Sequence, residues 1–219
     1  MFENLKKAIN AHYDNAEKEF SEKLDGLTIG AALDSWYYRD HMTAAALRAA
    51  QAMEKGEMLT DAIRGKMLAR FHRENEKARA AKLEKLEAAA AYNLPSFINV
   101  SVEWKKSSVW GYNPTASVCA DKRRTEGKAS GCGYDKGSAA IAEACNLNPE
   151  IMRILYEHAE KGGSFPYSVH TFAGLPSFDG GCGVSCFGPV FAACGYSWRN
   201  VASGKLYDAF TIERESMEA

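Results

Sequence analysis

The periodicity of this chain changes from helical to alternating within residues 97–136, FINVSVEWKKSSVWGYNPTASVCADKRRTEGKASGCGYDK. In FINVSVEW every second residue is apolar, which is the pattern of a half-buried β-strand. Gly-Tyr-Asn-Pro at 111–114 is a turn signal, and TASVCA at 115–120 alternates again. Together with a third strand over 124–130, this stretch predicts an antiparallel meander.

The elements after the meander are predicted to extend the sheet and cover it. Helices are expected over 138–146 and 148–161, the second opened by Asn-Pro. A short strand SVHTF, a short helix in FGPVFAACGY and a closing hairpin across Ser203-Gly204 follow. This order predicts an α+β fold, in which a helical N-terminal region precedes an antiparallel sheet with helices packed on one face.

The residues before Pro95 are predicted to be helical, because they are rich in Ala, Glu, Lys and Leu and contain no Pro. Three helices are expected, over 2–24, 28–55 and 60–92, with Thr28 as a cap. Five residues of the second helix are expected to face inward: Trp36, Tyr37, Ala44, Leu47 and Met53.

Pro95 marks the expected domain boundary. The predicted parts are a helical arm over 1–94, an α+β domain over 95–214 and a frayed tail over 215–219. The middle of the third helix, HRENEKARAAK, is polar nearly all round. Such a helix must project, pair with another helix or bridge to the next domain. The arm is therefore expected to form a homodimer or to dock onto a partner.

The composition is that of an ordinary globular protein. The 219 residues are 46% hydrophobic and 25% charged, with a net charge of −1. No apolar run approaches the ~18 residues that a membrane span needs. The N-terminus also lacks the apolar core of a signal peptide. We therefore expect a cytoplasmic protein without membrane association.

The charge is segregated along the chain. The central segments 63–92 and 97–137 carry net charges of +4 and +3, while the two ends carry −4 each. This pattern predicts one basic face and separate acidic faces. For the helix at 63–92, a solvated and salt-bridged surface explains the same charges, because glutamates interleave with its bases.

A cluster of cations and aromatic rings in the meander is the strongest candidate for a binding surface. Cations contact phosphates and aromatic rings stack on bases, although an acidic groove on a partner protein suits the cluster equally well. The alternative is that the aromatics are core and the lysines are solubilising. The candidates are Trp104, Lys105, Lys106, Trp110, Tyr112, Lys122, Arg123, Arg124, Lys128, Tyr134 and Lys136. In a meander, 105–106 and 122–124 lie in connections and could share an edge.

The glycines before helix 138–146 form a second candidate site. Gly131, Gly133 and Gly137, with Lys128 and Lys136 nearby, could hold an anion at a helix N-terminus. Their spacing matches neither GxGxxG nor GxxxxGK[ST], and tight turning from strand to helix explains them without a ligand. No cofactor is expected.

The cysteines leave three interpretations open. Six cysteines lie after residue 118, and reduced thiols are the ordinary state in the cytosol. Cys182 and Cys186 are a loose pair for zinc. Cys132 could act as a nucleophile with His158 or His170 as its base, as in a Cys-dependent hydrolase. The other histidines, at 12, 41 and 72, lie on predicted helices without metal spacing.

Two runs carry a resemblance to a known group of proteins. They lie around 98–137 and 181–213, and read VEWKKSSVWGYNP…GKASGCGYDKGSAAIAEA (102–144) and GGCGVSCFGPVFAACGYSW…SGKLYDAFTI (180–212). The chain resembles C-terminal domains of uncharacterised proteins encoded by bacteriophages and conjugative elements. This resemblance covers about half of the chain and implies a role in host takeover or counter-defence, including inhibition of CRISPR nucleases. It identifies no catalytic or binding residues.

Three functions follow as hypotheses. The first is a non-enzymatic anti-defence inhibitor that engages a host nuclease, or its nucleic acid, through 104–136. The second is a nucleic-acid-binding factor for replication or recombination of the element. The third is a Cys- or metal-dependent hydrolase.

Overall fold

The computed structural model describes residues 1–107, 111–129, 134–163, 191–192, 194–203 and 207–214. Within these ranges, only the backbone is described at 107, 111–112, 134–135, 198, 200, 202–203 and 207–214. The chain divides into two compact units. We call Lys7–Leu83 the helical unit, and Met1–Lys6 with Glu84–Ala219 the sheet unit.

Five helices precede the sheet: α1 Glu3–Asp25, α2 Ile29–Asp34, α3 Trp36–Asp40, α4 Ala44–Gln51 and α5 Asp61–Ala90. The predictions for the first and the long third helix are confirmed to within a few residues. The Thr28 cap is also confirmed, since its hydroxyl accepts a hydrogen bond from the Ala31 N–H. The single helix predicted over 28–55 is wrong, because the chain forms three short helices there.

The break in the middle helix has a local cause. Ser35 and Thr43 both have extended backbone, and the Thr43 hydroxyl caps α4 by accepting from the Ala46 N–H at 3.2 Å. Ser and Thr side chains compete with helical backbone bonding in this way. Because no continuous helix forms here, the predicted inward face does not form either. Trp36 is 76% exposed, Tyr37 is 39% exposed and Ala44 is exposed, so those three predictions are wrong.

Helices α1 and α5 contact each other in the core of the helical unit. Phe20 of α1 stacks on Phe71 of α5, with ring centroids 4.1 Å apart and planes 8° apart. Leu24 and Met67 are buried one turn away in the same cluster. Spacings of four residues on both helices place these side chains on facing stripes.

The polar middle of α5 pairs with α1. The buried Asn75 amide donates to the Tyr13 carbonyl and to the Glu17 carboxylate, both at 2.9 Å. Arg79 donates to Asp14 at 2.6 Å. The polar stretch therefore satisfies one of the three expected roles, pairing with a helix, and the partner helix belongs to the same chain.

Among the described residues, the sheet has five antiparallel strands: β1 Phe97–Ser107, β2 Gly111–Ala120, β3 Arg123–Lys128, β4 Tyr196–Ser203 and β5 Tyr207–Arg214. Their order is β3-β2-β1-β5-β4. Two helices, α6 Tyr134–Asn146 and α7 Pro149–Glu160, complete the described elements. The predicted α+β fold, meander and closing strand pair are confirmed.

Some of the predicted elements lie wholly or partly in residues that the structure does not describe. The SVHTF strand at 168–172, the hairpin turn at 204–206 and the tail at 215–219 lie outside the described residues. Residues 191 and 192, which lie within the predicted short helix FGPVFAACGY, are helical.

One face of the meander is apolar and buried. Its members alternate along β1 and β2 and pair across the strands as Ile98 with Ala120, Val100 with Val118 and Val102 with Ala116. Helix α6 packs on this face against β1, β2 and β3. It contributes small buried side chains, including Ala140 and Ala144.

Gly127 lets α6 approach β3 closely. A Cβ at this position would overlap the Ala140 carbonyl and the Ala144 N–H, and would lie 2.9 Å from the Glu143 Cβ. Two residues earlier, the Thr125 hydroxyl donates to the Ala144 carbonyl at 2.7 Å. Because the overlapped atoms are helix backbone, they cannot move without shifting α6.

Replacing Gly127 with Ala is expected to lower the free energy of unfolding by about 2–3 kcal/mol, since overpacking forces a backbone shift. Gly65→Ala in α5 is the matched control, because a Cβ there meets nothing within 4 Å. It should instead add about 0.5–1 kcal/mol, as expected for a glycine within a helix. Urea denaturation followed by circular dichroism measures both. Equal effects of the two changes would contradict the close approach of α6.

Candidate binding face of the sheet

The second face of the meander is polar and forms a groove. Strand alternation places its residues opposite the buried set, because successive side chains point to opposite sides of a sheet. The groove has a volume of about 570 Å³. We call it the groove face, and its lining residues are Ser101, Glu103 and Lys105 of β1, Asn113, Thr115 and Ser117 of β2, and Arg124, Glu126 and Lys128 of β3.

The charges of the groove face are largely paired within it. Lys105 Nζ lies 3.5 Å from a Glu103 carboxylate oxygen, and an Arg124 guanidinium nitrogen lies 3.1 Å from Glu126 Oε1. Each of these four side chains is more than half exposed. Exposed pairs of this kind contribute little to stability. The surface is therefore mixed in charge and open to a ligand.

Small hydroxyl and amide groups separate the charged pairs. In register, Ser101 pairs with Ser117, and Ser117 pairs with Glu126. The next row joins Glu103, Thr115 and Lys128. Each of these rows thus combines hydroxyl groups with charged groups, which suits recognition of a polar surface.

Three of the predicted cluster residues, Lys105, Arg124 and Lys128, line the groove face. Strand parity places three others on the opposite side. Trp104 pairs with the buried Pro114, Lys106 pairs with Tyr112, and Arg123 pairs with the buried Ala120. Lys122 is exposed in the turn between β2 and β3, and Lys136 is half-buried in the first turn of α6. Trp110 and the side chains of Tyr112 and Tyr134 lie outside the described residues.

The expectation that 105–106 and 122–124 share an edge is wrong. Strand β1 continues through Lys105 and Lys106 to Ser107, so these lysines do not lie in a connection. In the β1–β2 pairing, Lys105 lies opposite Asn113, whereas Ile98 lies opposite Ala120 at the other end. Seven residues of strand separate the two ends, or about 24 Å. The two basic segments therefore flank opposite ends of the meander.

Arg123 has partners inside the protein. Its guanidinium lies over the Tyr92 ring at 5.0 Å and donates to the Tyr92 hydroxyl at 3.3 Å. Its Nε is 3.6 Å from a Glu150 carboxylate oxygen. These contacts give Arg123 a structural role.

Sequence reasoning missed most of the groove lining. Ser101, Thr115 and Ser117 carry no charge and belong to no motif, so they did not join the basic-aromatic cluster. Their alternation with apolar residues in β1 and β2 was the available signal, since it places them together on the face away from the core.

The predicted anion site at Gly131, Gly133 and Gly137 depends on where α6 begins. This helix begins at Tyr134, so Gly137 lies buried inside it and does not precede it. The expected start at 138 is therefore late by one turn. Gly131 and Gly133 lie outside the described residues, as do Cys132, Cys182, Cys186 and His170.

The described cysteines include two that are poor nucleophiles. Burial raises the pKa of Cys145 to about 12. Burial also raises the pKa of Cys194 to about 12, against an opposing effect of the Lys161 charge. The thiolate is the reactive form, so both side chains are unreactive near neutral pH.

Comparison of the chain with protein-family models, curated proteins and solved structures finds no match. No described helix is both long and apolar enough to cross a membrane.

Alkylation rates are expected to separate the described cysteines. At pH 8 the folded protein should react with iodoacetamide at Cys145 on the order of a thousandfold more slowly than free cysteine does, because its thiolate fraction is correspondingly small. Peptide mass spectrometry measures each site, with the half-buried Cys119 as the internal comparison. Similar rates at Cys145 and Cys119 would contradict the raised pKa of Cys145.

Proposed function

We propose that this chain is a binding protein that docks a partner protein on the groove face. The observation that carries the proposal is the exposed, mixed-charge lining of this groove, in which Lys105–Glu103 and Arg124–Glu126 pairs flank small hydroxyl groups. Interfaces between proteins use such complementary charges and hydrogen bonds for specificity and orientation.

The same lining favours a protein over a nucleic acid. A surface for phosphates concentrates unpaired cations, and a surface for single strands adds aromatic rings. In the groove face, two of the three cations have a carboxylate within 3.5 Å. The nine described lining residues include no aromatic ring. These features support the hypothesis of an anti-defence inhibitor over that of a nucleic-acid-binding factor.

The partner class rests on the resemblance to phage and mobile-element proteins. It favours a host defence nuclease, encountered in the host cytosol. In this proposal, the chain acts by occupying a surface that the nuclease needs, without catalysis of its own. A CRISPR nuclease is the first candidate, because proteins of such elements include inhibitors of these enzymes.

Charge reversal on the groove face should weaken the inhibition. We expect the double variant Arg124→Glu/Lys128→Glu to inhibit the target nuclease at least tenfold less well than the unaltered chain. The matched control is Lys106→Glu/Lys122→Glu. It makes the same change in net charge at exposed positions of the sheet unit outside the groove lining. DNA cleavage by a panel of purified CRISPR nucleases measures inhibition, and fluorescence polarisation measures binding to labelled DNA and RNA.

Three results would contradict parts of the proposal. Inhibition retained by the groove variant would reject this surface. Salt-sensitive binding to nucleic acid, lost by the groove variant and kept by the control, would reject the protein partner. A panel in which no nuclease is inhibited would reject the nuclease assignment.

A further inference from the structure

A histidine and two glutamates converge in the helical unit. Glu17 lies on α1, and His72 and Glu76 lie four residues apart on α5. One ligand atom from each residue lies within 4.8 Å of the other two. The sequence interpretation considered spacing along single helices, whereas Glu17 lies on a different helix from His72 and Glu76.

The Glu17 carboxylate is held in place by its neighbours. The buried Asn75 amide donates to Glu17 Oε1 at 2.9 Å, and His72 Nδ1 lies 3.0 Å from the same oxygen. The hydrogen bond from Asn75 lowers the pKa of Glu17 and outweighs the opposing effect of desolvation. Asn75 is in turn fixed by the Tyr13 carbonyl. An ionised carboxylate oriented by a buried amide resembles the support that metal ligands receive from their neighbours.

We propose that Glu17, His72 and Glu76 bind a divalent transition-metal ion, with zinc as the first candidate. One imidazole nitrogen and two carboxylate oxygens form a ligand set that zinc accepts, at distances of about 2.0–2.2 Å. Ligands around such an ion lie about 3.4 Å apart in tetrahedral geometry. His72 and Glu76 are 59% and 47% exposed, so rotation about their outer bonds closes the remaining gap to the fixed Glu17 carboxylate.

The site is open on one side. A cavity of about 440 Å³ adjoins it, lined in part by Glu17, His72, Ser21 and Phe71. Three protein ligands beside an open volume leave a fourth coordination position for water or an exogenous ligand, which distinguishes this arrangement from a closed structural zinc site.

Two cations border the site and compete with the metal. Arg79 Nε lies 3.3 Å from a Glu76 carboxylate oxygen, and Lys18 lines the cavity. Arg79 also pairs with Asp14, so it retains a carboxylate partner when Glu76 turns towards the metal. The ion in effect replaces Arg79 as the partner of Glu76, and the charges of Glu17 and Glu76 offset that of a divalent ion.

The test is titration of the full chain with Zn²⁺ by calorimetry and with Co²⁺ by absorption spectroscopy. Cysteines compete for both ions, so the titrations use a Cys182→Ser/Cys186→Ser background as well as the unaltered chain. Thiolate ligation of Co²⁺ gives intense near-ultraviolet absorption, whereas nitrogen and oxygen ligands do not. The site variants are His72→Gln and Glu76→Gln. Their matched controls are His12→Gln, another exposed histidine, and Glu74→Gln, whose carboxylate pairs with Arg70 on α5.

The proposal predicts that each site variant weakens Zn²⁺ binding at least tenfold and that both controls bind as the unaltered chain does. Unchanged helical circular dichroism in the site variants would show that the loss is not caused by unfolding. Equal affinity in site and control variants would overturn the proposal. So would the loss of all binding in the Cys182→Ser/Cys186→Ser background, or no binding at millimolar metal.

Discussion

The close approach of α6 to β3 determines which side of the sheet becomes the core. Contact at Gly127 is possible only without a side chain, and the Thr125 hydroxyl bonds to the same helix at Ala144. Since successive residues of a strand face opposite sides, fixing 125 and 127 inward fixes Arg124, Glu126 and Lys128 outward. The groove face is thus a consequence of the packing on the other side.

The inward side of β3 also anchors the second helix of the sheet unit. The buried Asn148 side chain donates to the Arg123 carbonyl at 3.1 Å and accepts from the Glu150 N–H at the start of α7. One side chain therefore caps a helix and satisfies a strand carbonyl. Arg123 itself contacts Tyr92 and Glu150. These bonds make β3 the common support of α6 and α7, while its outward residues remain available for binding.

Periodicity predicted the strands and long helices well, because each of these elements repeats its pattern over several turns or pairs. It predicted the functional face less well. Lys105 and Lys106 are neighbours in sequence and lie on opposite sides of β1, a separation that depends on where the strand ends. Trp36 was misplaced because extended backbone at Ser35 ends α2 directly before it. The grouping of Glu17 with His72 was missed for a related reason, since it depends on how α1 and α5 pair.

The docking surface requires that β3 present alternate residues to the core and to a ligand. It is tested most directly by introducing single cysteines at Thr125 and Glu126 and measuring their alkylation rates in the folded chain by peptide mass spectrometry. Glu126→Cys should react at nearly the rate of an unfolded control peptide, while the half-buried Thr125→Cys should react more slowly. Similar protection at both positions, or faster reaction at 125, would contradict an open groove face and with it the proposed docking surface.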